Sequence, residues 1–350
     1  YTTESEQSPI LRTLGRQMLS NDGEGRREAK TFATESFTVP ALERTVAPAV
    51  REWVASWVAG LRDPGSSTAG RPGGAARDGE VELMSSLASP LAIDSVCLAM
   101  GLPPADRDRL RAWYEALAAA LANLSGAPEP AARGEAAAAE LCAYLERRLD
   151  AAAGRGGTSL VERFADADRE RWPVADVLSN LMIVLFGGIE TTESMIGNAL
   201  WCLLQHGDPE RTREGPEALS RIIEESLRWE PAVQSCSRWA TRPARLRGVE
   251  IGTGEGVQCM LGAANRDPRR WTNPERFDPE RPDAGDHLAF GAGRHFCLGA
   301  HLARMETAAA VAGVVGGLPG LRLDPTRSSA PRGYEFRKPP RLWVRWRPDA

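Results

Sequence analysis

Apolar residues recur at helical spacing over most of this 350-residue chain. The i, i+3, i+4 pattern of a one-sided helix runs through Leu42 to Leu61, with Pro40 near its start, then through Val81 to Met100 and Asp106 to Leu124. Ala132 to Ala153 is rich in alanine, the strongest helix former. Leu141, Tyr144, Leu145 and Leu149 give that segment its apolar stripe. The longest candidate is Pro173 to Gln205, where Pro173 suits a first turn and His206-Gly207-Asp208-Pro209 is a stop signal. At roughly 30 residues it would span ~45–50 Å. Its middle is apolar nearly all round, which predicts burial. Ala218 to Arg228 predicts a shorter helix ended by Pro231, and Leu298 to Val315 a last long one closed by Gly316-Gly317.

Little of the chain reads as sheet. Arg245 to Val257 mixes turn residues with short apolar pieces and predicts a small hairpin, and Leu342 to Trp346 predicts a terminal strand. Asp63 to Asp78 and Asn123 to Pro130 are breaker-rich and read as loops, and Asn265 to Asp286 has little periodicity. No repeat and no linker divides two cores. The expectation is one mainly helical domain over residues 1–350 with a minor β part.

Composition narrows the function. A net charge of −4 provides no basic field for nucleic acid or an anionic membrane surface. Of 43 basic residues only Lys30 and Lys338 are lysine, which disfavours Schiff-base chemistry. The six cysteines are Cys97, Cys142, Cys202, Cys236, Cys259 and Cys297, with no C-x-x-C pair, so zinc and dithiol motifs are absent. Sparse thiols in apolar stretches suit a reducing cytoplasm. The longest apolar run, Leu181 to Phe186 extended by Gly187, Gly188 and Ile189, is shorter than the ~20 residues of a membrane span. A soluble, cytoplasmic protein is expected.

The segment Phe290-Gly291-Ala292-Gly293-Arg294-His295-Phe296-Cys297-Leu298-Gly299 carries the clearest chemistry. Its glycines allow a tight turn and close approach to a flat ligand. A cysteine just before a helix faces the positive end of the helix dipole, which favours its thiolate. A dinucleotide fingerprint fails, because Phe296 stands where its third glycine belongs. The segment resembles the haem-ligand loop of the cytochrome P450 family, F-G-x-G-x-H/R-x-C-x-G, at every fixed position.

Three further segments are similar to that family's motifs, in its order. Glu225-Ser226-Leu227-Arg228 resembles E-x-x-R. Its i, i+3 spacing lets the two side chains pair on one helix face, although alone it is common on any solvated helix. Gly187-Gly188-Ile189-Glu190-Thr191-Thr192 resembles the A/G-G-x-D/E-T oxygen-activation motif within the long helix. Small residues there open the helix, and a hydroxyl can bond the i−4 carbonyl. Phe277-Asp278-Pro279-Glu280-Arg281 resembles the later P-E-R-F segment.

The resemblance spans roughly Leu14 to Trp346; the family's first β-rich segment and early helices have no counterpart. It implies the P450 fold, with haem b between the long central helix and the helix after the cysteine loop. It makes Cys297 the axial ligand of the iron, with Phe290, Gly291 and Gly299 shaping the loop and Arg238 and His295 toward the propionates. Glu225, Arg228 and Arg281 become a buried network holding the loop. Thr191 becomes a hydrogen-bond donor in O2 activation and Glu190 a proton relay. Ile183, Gly187, Val233 and Gln234 become substrate contacts, and Asn123 to Pro130 part of a mobile lid. One departure stands out: Gly25 and Ala29, in Asp22 to Lys30, occupy positions where the family usually has a propionate-binding His and Arg. A slipped alignment, a substitute in Arg26 or Lys30, or a weaker haem grip would each account for it.

The implied activity is O2-dependent monooxygenation of a small hydrophobic substrate, a natural product by genomic style. Electrons would come from a ferredoxin and its reductase, docking near Arg269, Arg270 and Arg294, and the protein would be a monomer. A peroxide-driven enzyme of the same fold usually loses the acid–alcohol pair kept here as Glu190 and Thr191. A haem sensor would not need that pair. Hydrolase motifs are absent.

Overall fold

The computed structural model describes residues 1–62, 76–77, 79–123 and 126–347. The expected loop at 63–78 therefore lies almost entirely outside the described residues, as do two positions of the loop expected over 123–130, whose last three residues instead begin a helix, where Pro128 suits the first turn. The fold is mainly α with small antiparallel sheets. Its contacts cluster into two compact units, each drawn from three stretches of chain. One comprises 1–42, 96–187 and 237–258, the other 43–95, 188–236 and 259–350.

The first unit is built on the helices Arg107–Leu121 and Pro128–Ala152. They approach so closely that a Cβ added at Gly134 would fall 2.3 Å from that of Ala120. The Tyr144 hydroxyl donates to Asp106 at 2.7 Å, and Trp113 Nε1 donates to Glu140 at 2.9 Å. Phe32, Phe164 and Trp172 pack with ring centroids 4.8–6.0 Å apart. A reciprocal capping box of Ser159 and Glu162 starts Leu160–Ala165.

The second unit holds the four-stranded sheet, in the order Ala76–Arg77, Glu80–Glu82, Trp343–Arg345, Arg322–Leu323. Val81 lies opposite Val344, and Glu80 opposite Arg345. The start of the expected helix from Val81 is thus a strand, followed by the π turn Met84–Ala88 and the helix Ser89–Met100. Glu82 manages the change of structure. It is buried, and its carboxylate accepts from the backbone N–H groups of Met84, Ser85 and Leu342 at 2.7–3.1 Å. The helix expected over Leu42–Leu61 is two, Val39–Thr45 and Ala47–Arg62. Pro48 explains the break: it has no N–H to donate to the preceding turn.

The last helix, Ala300–Gly317, runs through Gly316-Gly317 instead of stopping at them. Packing gives the reason. A Cβ at Gly313 would sit 2.2 Å from Val54 Cγ1, and one at Gly317 2.2 Å from Val58 Cγ1. Glycines one turn apart let this helix meet Ala47–Arg62 closely. Glu306 on the same helix is wholly buried, and desolvation pushes its carboxyl well above the usual range, against a lowering hydrogen bond from Ser95.

Val174–His206 is a single helix of 33 residues. By length and composition it could cross a membrane, but 56% of its apolar window is buried within the protein. The expected hairpin is present as Ala244–Leu246 and Val249–Ile251. Arg247 and Gly248 between them have φ of 48° and 86°, as a two-residue primed turn requires.

Candidate active site

The second unit contains the cysteine loop and the groups that hold it. Gly291 and Gly293 adopt φ of 69° and 65°, where a side chain would strain the backbone. The Cys297 N–H donates to the Phe290 carbonyl at 2.9 Å, and the Gly291 N–H to the Leu288 carbonyl at 2.9 Å. The loop therefore closes on itself. It presents Cys297 exposed, three residues before the helix Ala300–Gly317 begins after Gly299. His295 lies in the short turn Gly293–His295, half-buried.

Two polar assemblies anchor this loop. In the first, Glu225 and Arg228 are fully buried on the helix Pro216–Trp229 and pair bidentately, both contacts at 2.8 Å. Arg281 Nε lies 3.3 Å from the same carboxylate. Arg228 also donates to the carbonyls of Asn265, Pro274 and Arg276 at 2.9–3.1 Å. The buried Asn265 accepts from the Leu288 N–H at 2.7 Å, two residues before Phe290. An unbroken run of bonds thus joins the buried pair to the root of the cysteine loop.

The second assembly was not apparent in the sequence. Glu224 accepts two hydrogen bonds from Arg304 at 2.6 and 2.8 Å and lies 3.2 Å from His287 Nε2. Arg304 sits 4.5 Å over the Phe290 ring. Burial alone would raise the Glu224 carboxyl, but Arg304 and His287 outweigh it and hold the group down to about 2.

Glu190 and Thr191 follow the Gly187-Gly188 pair on the long helix. Gly187 is exposed and Gly188, Glu190 and Thr191 are half-buried, although Leu185, Phe186, Ile189 and Thr192 around them are buried. A Cβ added at Gly187 would meet no atom within 4 Å. Ser194 donates to the Glu190 carbonyl at 2.6 Å. Glu190 itself contacts Lys338 Nζ at 3.0 Å.

The remaining candidates divide between the units. Val233 bridges Phe336, and Gln234 Nε2 donates to the Pro231 carbonyl at 2.6 Å, both in the second unit. Ile183, Gly187 and Arg238 belong to the first unit, where Ile183 is buried and Arg238 Nη1 donates to the Ser237 carbonyl at 2.7 Å. In the same unit Ala29 is buried on the helix Glu24–Thr34 and Lys30 is half-buried. The side chain of Arg26 lies outside the described residues. Of the arginines expected to meet a redox partner, Arg269 is bound by Asp267, and Arg270 by Asp283 and Asp286.

These residues fit a haem. A lone soft thiolate is the donor such an iron takes. Phe296, 43% exposed, offers apolar surface beside Cys297. A Cβ at Gly293 or Gly299 would meet nothing within 4 Å, so the backbone there can lie flat against a planar group. Among the described residues no cluster of three or more His, Cys, Asp or Glu could hold a bare metal ion.

Comparison with known proteins agrees with this geometry. The family described as Cytochrome P450 matches residues 216–315, which include both the Glu225–Arg228 pair and Cys297. The chain is 34% identical to the cytochrome P450 monooxygenase PikC of Streptomyces venezuelae, over 89% of this chain and 71% of that protein. It is 37% identical to the 20-oxo-5-O-mycaminosyltylactone 23-monooxygenase of Streptomyces fradiae, over 71% of this chain and 57% of that one. The crystal structure of CalO2 superposes with a TM-score of 0.84 at 32% identity, covering 97% of this chain and 82% of CalO2.

Proposed function

This chain belongs to the cytochrome P450 family, as a monooxygenase and thus an oxidoreductase, and we propose that it binds haem b through Cys297 and oxidises a small, largely apolar natural product. The exposed Cys297 thiol on its self-closed glycine loop is the observation that carries this reading. The substrate named in the Streptomyces fradiae relative, a 20-oxo-5-O-mycaminosyltylactone, supports the substrate class.

When bound, the haem supplies the redox chemistry that activates O2, with the thiolate tuning it. The protein's own residues set the conditions. Phe290, Gly291 and Gly299 shape the loop that holds Cys297, and the Glu225–Arg228–Arg281 assembly keeps it from relaxing. Arg238 and His295 bind the propionates, because arginine and a polar loop residue suit desolvated carboxylates. Thr191 offers a hydroxyl where the helix is opened by Gly187-Gly188. Glu190 passes protons from water to that hydroxyl. Ile183, Gly187, Val233 and Gln234 contact the substrate. Electrons come from a ferredoxin and its reductase, and the protein works as a soluble monomer.

The carbon monoxide difference spectrum of the reduced, haem-loaded protein tests the assignment. A strongly red-shifted Soret band, lost in Cys297→Ser, is expected. An ordinary imidazole-type carbonyl spectrum, or a red-shifted band that survives Cys297→Ser, overturns it.

A further inference from the structure

The chain uses arginine at all but two of its 43 basic positions, and one of the two lysines reaches the proposed proton relay. Lys338 Nζ lies 3.0 Å from Glu190 Oε1 and in direct contact with Glu193 Oε1. The two carboxylates stand three residues apart on the long helix and so share one face. Their side chains are only 13% and 7% exposed, whereas that of Lys338 is 30% exposed. The ammonium is thus the cluster's most open member.

The backbone that carries Lys338 is firmly placed. Arg337 donates its N–H to the Ala232 carbonyl at 2.9 Å, and its own carbonyl accepts from Asn198 Nδ2 at 2.9 Å. Pro339 packs at Gly197, where an added Cβ would lie 3.3 Å from its Cδ. Residues 337 and 339 therefore meet the helix about two turns after Glu190. The other charges nearby are already matched, with Glu230 meeting Arg337 at 3.0 Å and Arg266 at 3.5 Å. Lys338 is the cation that meets both carboxylates.

One positive charge between two negative ones cannot fully satisfy both. An ammonium has three donors on a flexible stem and can serve two acceptors or shift between them, while a guanidinium fork tends to lock onto one carboxylate. Resting on the reading of Glu190 as proton relay, we propose that Lys338 is a positioning residue for that relay. It divides its ammonium between Glu190 and Glu193, and its transfer toward Glu193 frees the Glu190 carboxylate to take a proton from water and pass it to Thr191.

Two measurements test this. The first is independent of turnover. Acetylation by acetic anhydride, followed by mass spectrometry, compares Lys338 with Lys30 as internal reference. Glu190→Gln and Glu193→Gln should each raise the relative labelling of Lys338 about fivefold, the factor for ~1 kcal/mol of lost pairing. An unchanged ratio in both variants overturns the sharing.

The second follows reoxidation by O2 of the reduced, haem-loaded protein across pH, in H2O and D2O. Lys338→Met removes the cation that both carboxylates share, which favours proton uptake and moves the profile about one unit to higher pH. Glu193→Gln leaves the ammonium on Glu190 alone and moves the profile to lower pH. Lys338→Arg restores the charge and should return the profile toward the parent. If Lys338→Met fails to accumulate, Glu193→Gln keeps the test, because it retains the cation. Glu190→Gln separates the two levels. If it changes neither rate nor isotope effect, the relay reading falls and the inference with it. If it changes both while Lys338→Met and Glu193→Gln superpose on the parent, the role of Lys338 alone is overturned.

Discussion

Arg228→Lys keeps a positive charge at the buried pair and removes its shape, so its cost measures what the guanidinium contributes as a structural hub. Arg228 makes five hydrogen bonds, two to Glu225 and one each to the carbonyls of Asn265, Pro274 and Arg276. A lysine ammonium has three donors, so at least two of these acceptors lose a partner in a fully buried site. Each unsatisfied buried group costs about 1–3 kcal/mol, which sums to roughly 2–6 kcal/mol. Arg228→Ala adds a buried Glu225 left with Arg281 and the Asp278 N–H, and removing one partner of a buried pair costs about 3–5 kcal/mol. Urea unfolding of the haem-loaded protein, followed by far-UV circular dichroism, gives both values. Because Arg228 leads through Asn265 to Leu288, the thiolate-type carbonyl band should disappear at lower urea than global unfolding in the lysine variant. A cost below ~1 kcal/mol for Arg228→Lys, or an alanine variant no worse than the lysine one, refutes the reasoning.

Two other perturbations probe the supports of the same loop and helix. Glu224 is held down to about 2 in the folded protein. A carboxyl depressed below its unfolded range contributes stability that is present above pH ~4.5 and is lost as pH falls toward 2. With the part exposure of Glu224 discounted, the parent should lose about 2 kcal/mol more than Glu224→Gln over that window, and parallel urea-midpoint curves would count against the clamp. Gly313→Ala drives a Cβ to 2.2 Å from Val54 Cγ1, an overpacking expected to cost about 1–3 kcal/mol. Val54→Ala in the same chain should recover most of it, and thermal melts that show no recovery would mean the helices accommodate the methyl elsewhere.

The features legible in the sequence are those that local spacing encodes, and the rest depend on partners far away in the chain. The long helix, the Arg247-Gly248 hairpin and the short glycine-and-cysteine loop are local patterns. So is the Glu225–Arg228 spacing, although its burial is not: an identical pair on a solvated face would look the same until Asn265, Pro274 and Arg276 close around it. Val81 reads as helical in the sequence because a three-residue strand leaves too little alternation to outweigh the apolar run after it. The buried Glu82 that ends the strand accepts the Leu342 N–H from across 260 positions of sequence.

The same division bears on the proposed chemistry. The motif around Thr191 names a carboxylate and a hydroxyl, but a motif cannot say what charge the carboxylate meets. In this chain the answer lies 148 residues away from Glu190, in a lysine outside every recognised motif. Glu224 makes the parallel case beside the cysteine loop, where Arg304 and His287 determine its ionisation. Each acid's immediate sequence gives its place on a helix, and each acid's counter-charge comes from another element. Proton supply and loop rigidity should therefore vary among chains that share all of these motifs. Lys338 is the residue at which that variation can be tested directly: transplanting a lysine to the corresponding position of a relative whose acid lacks a cation should shift that relative's reoxidation profile to lower pH, and an unmoved profile would confine the effect to the Glu193-bearing helix of this protein.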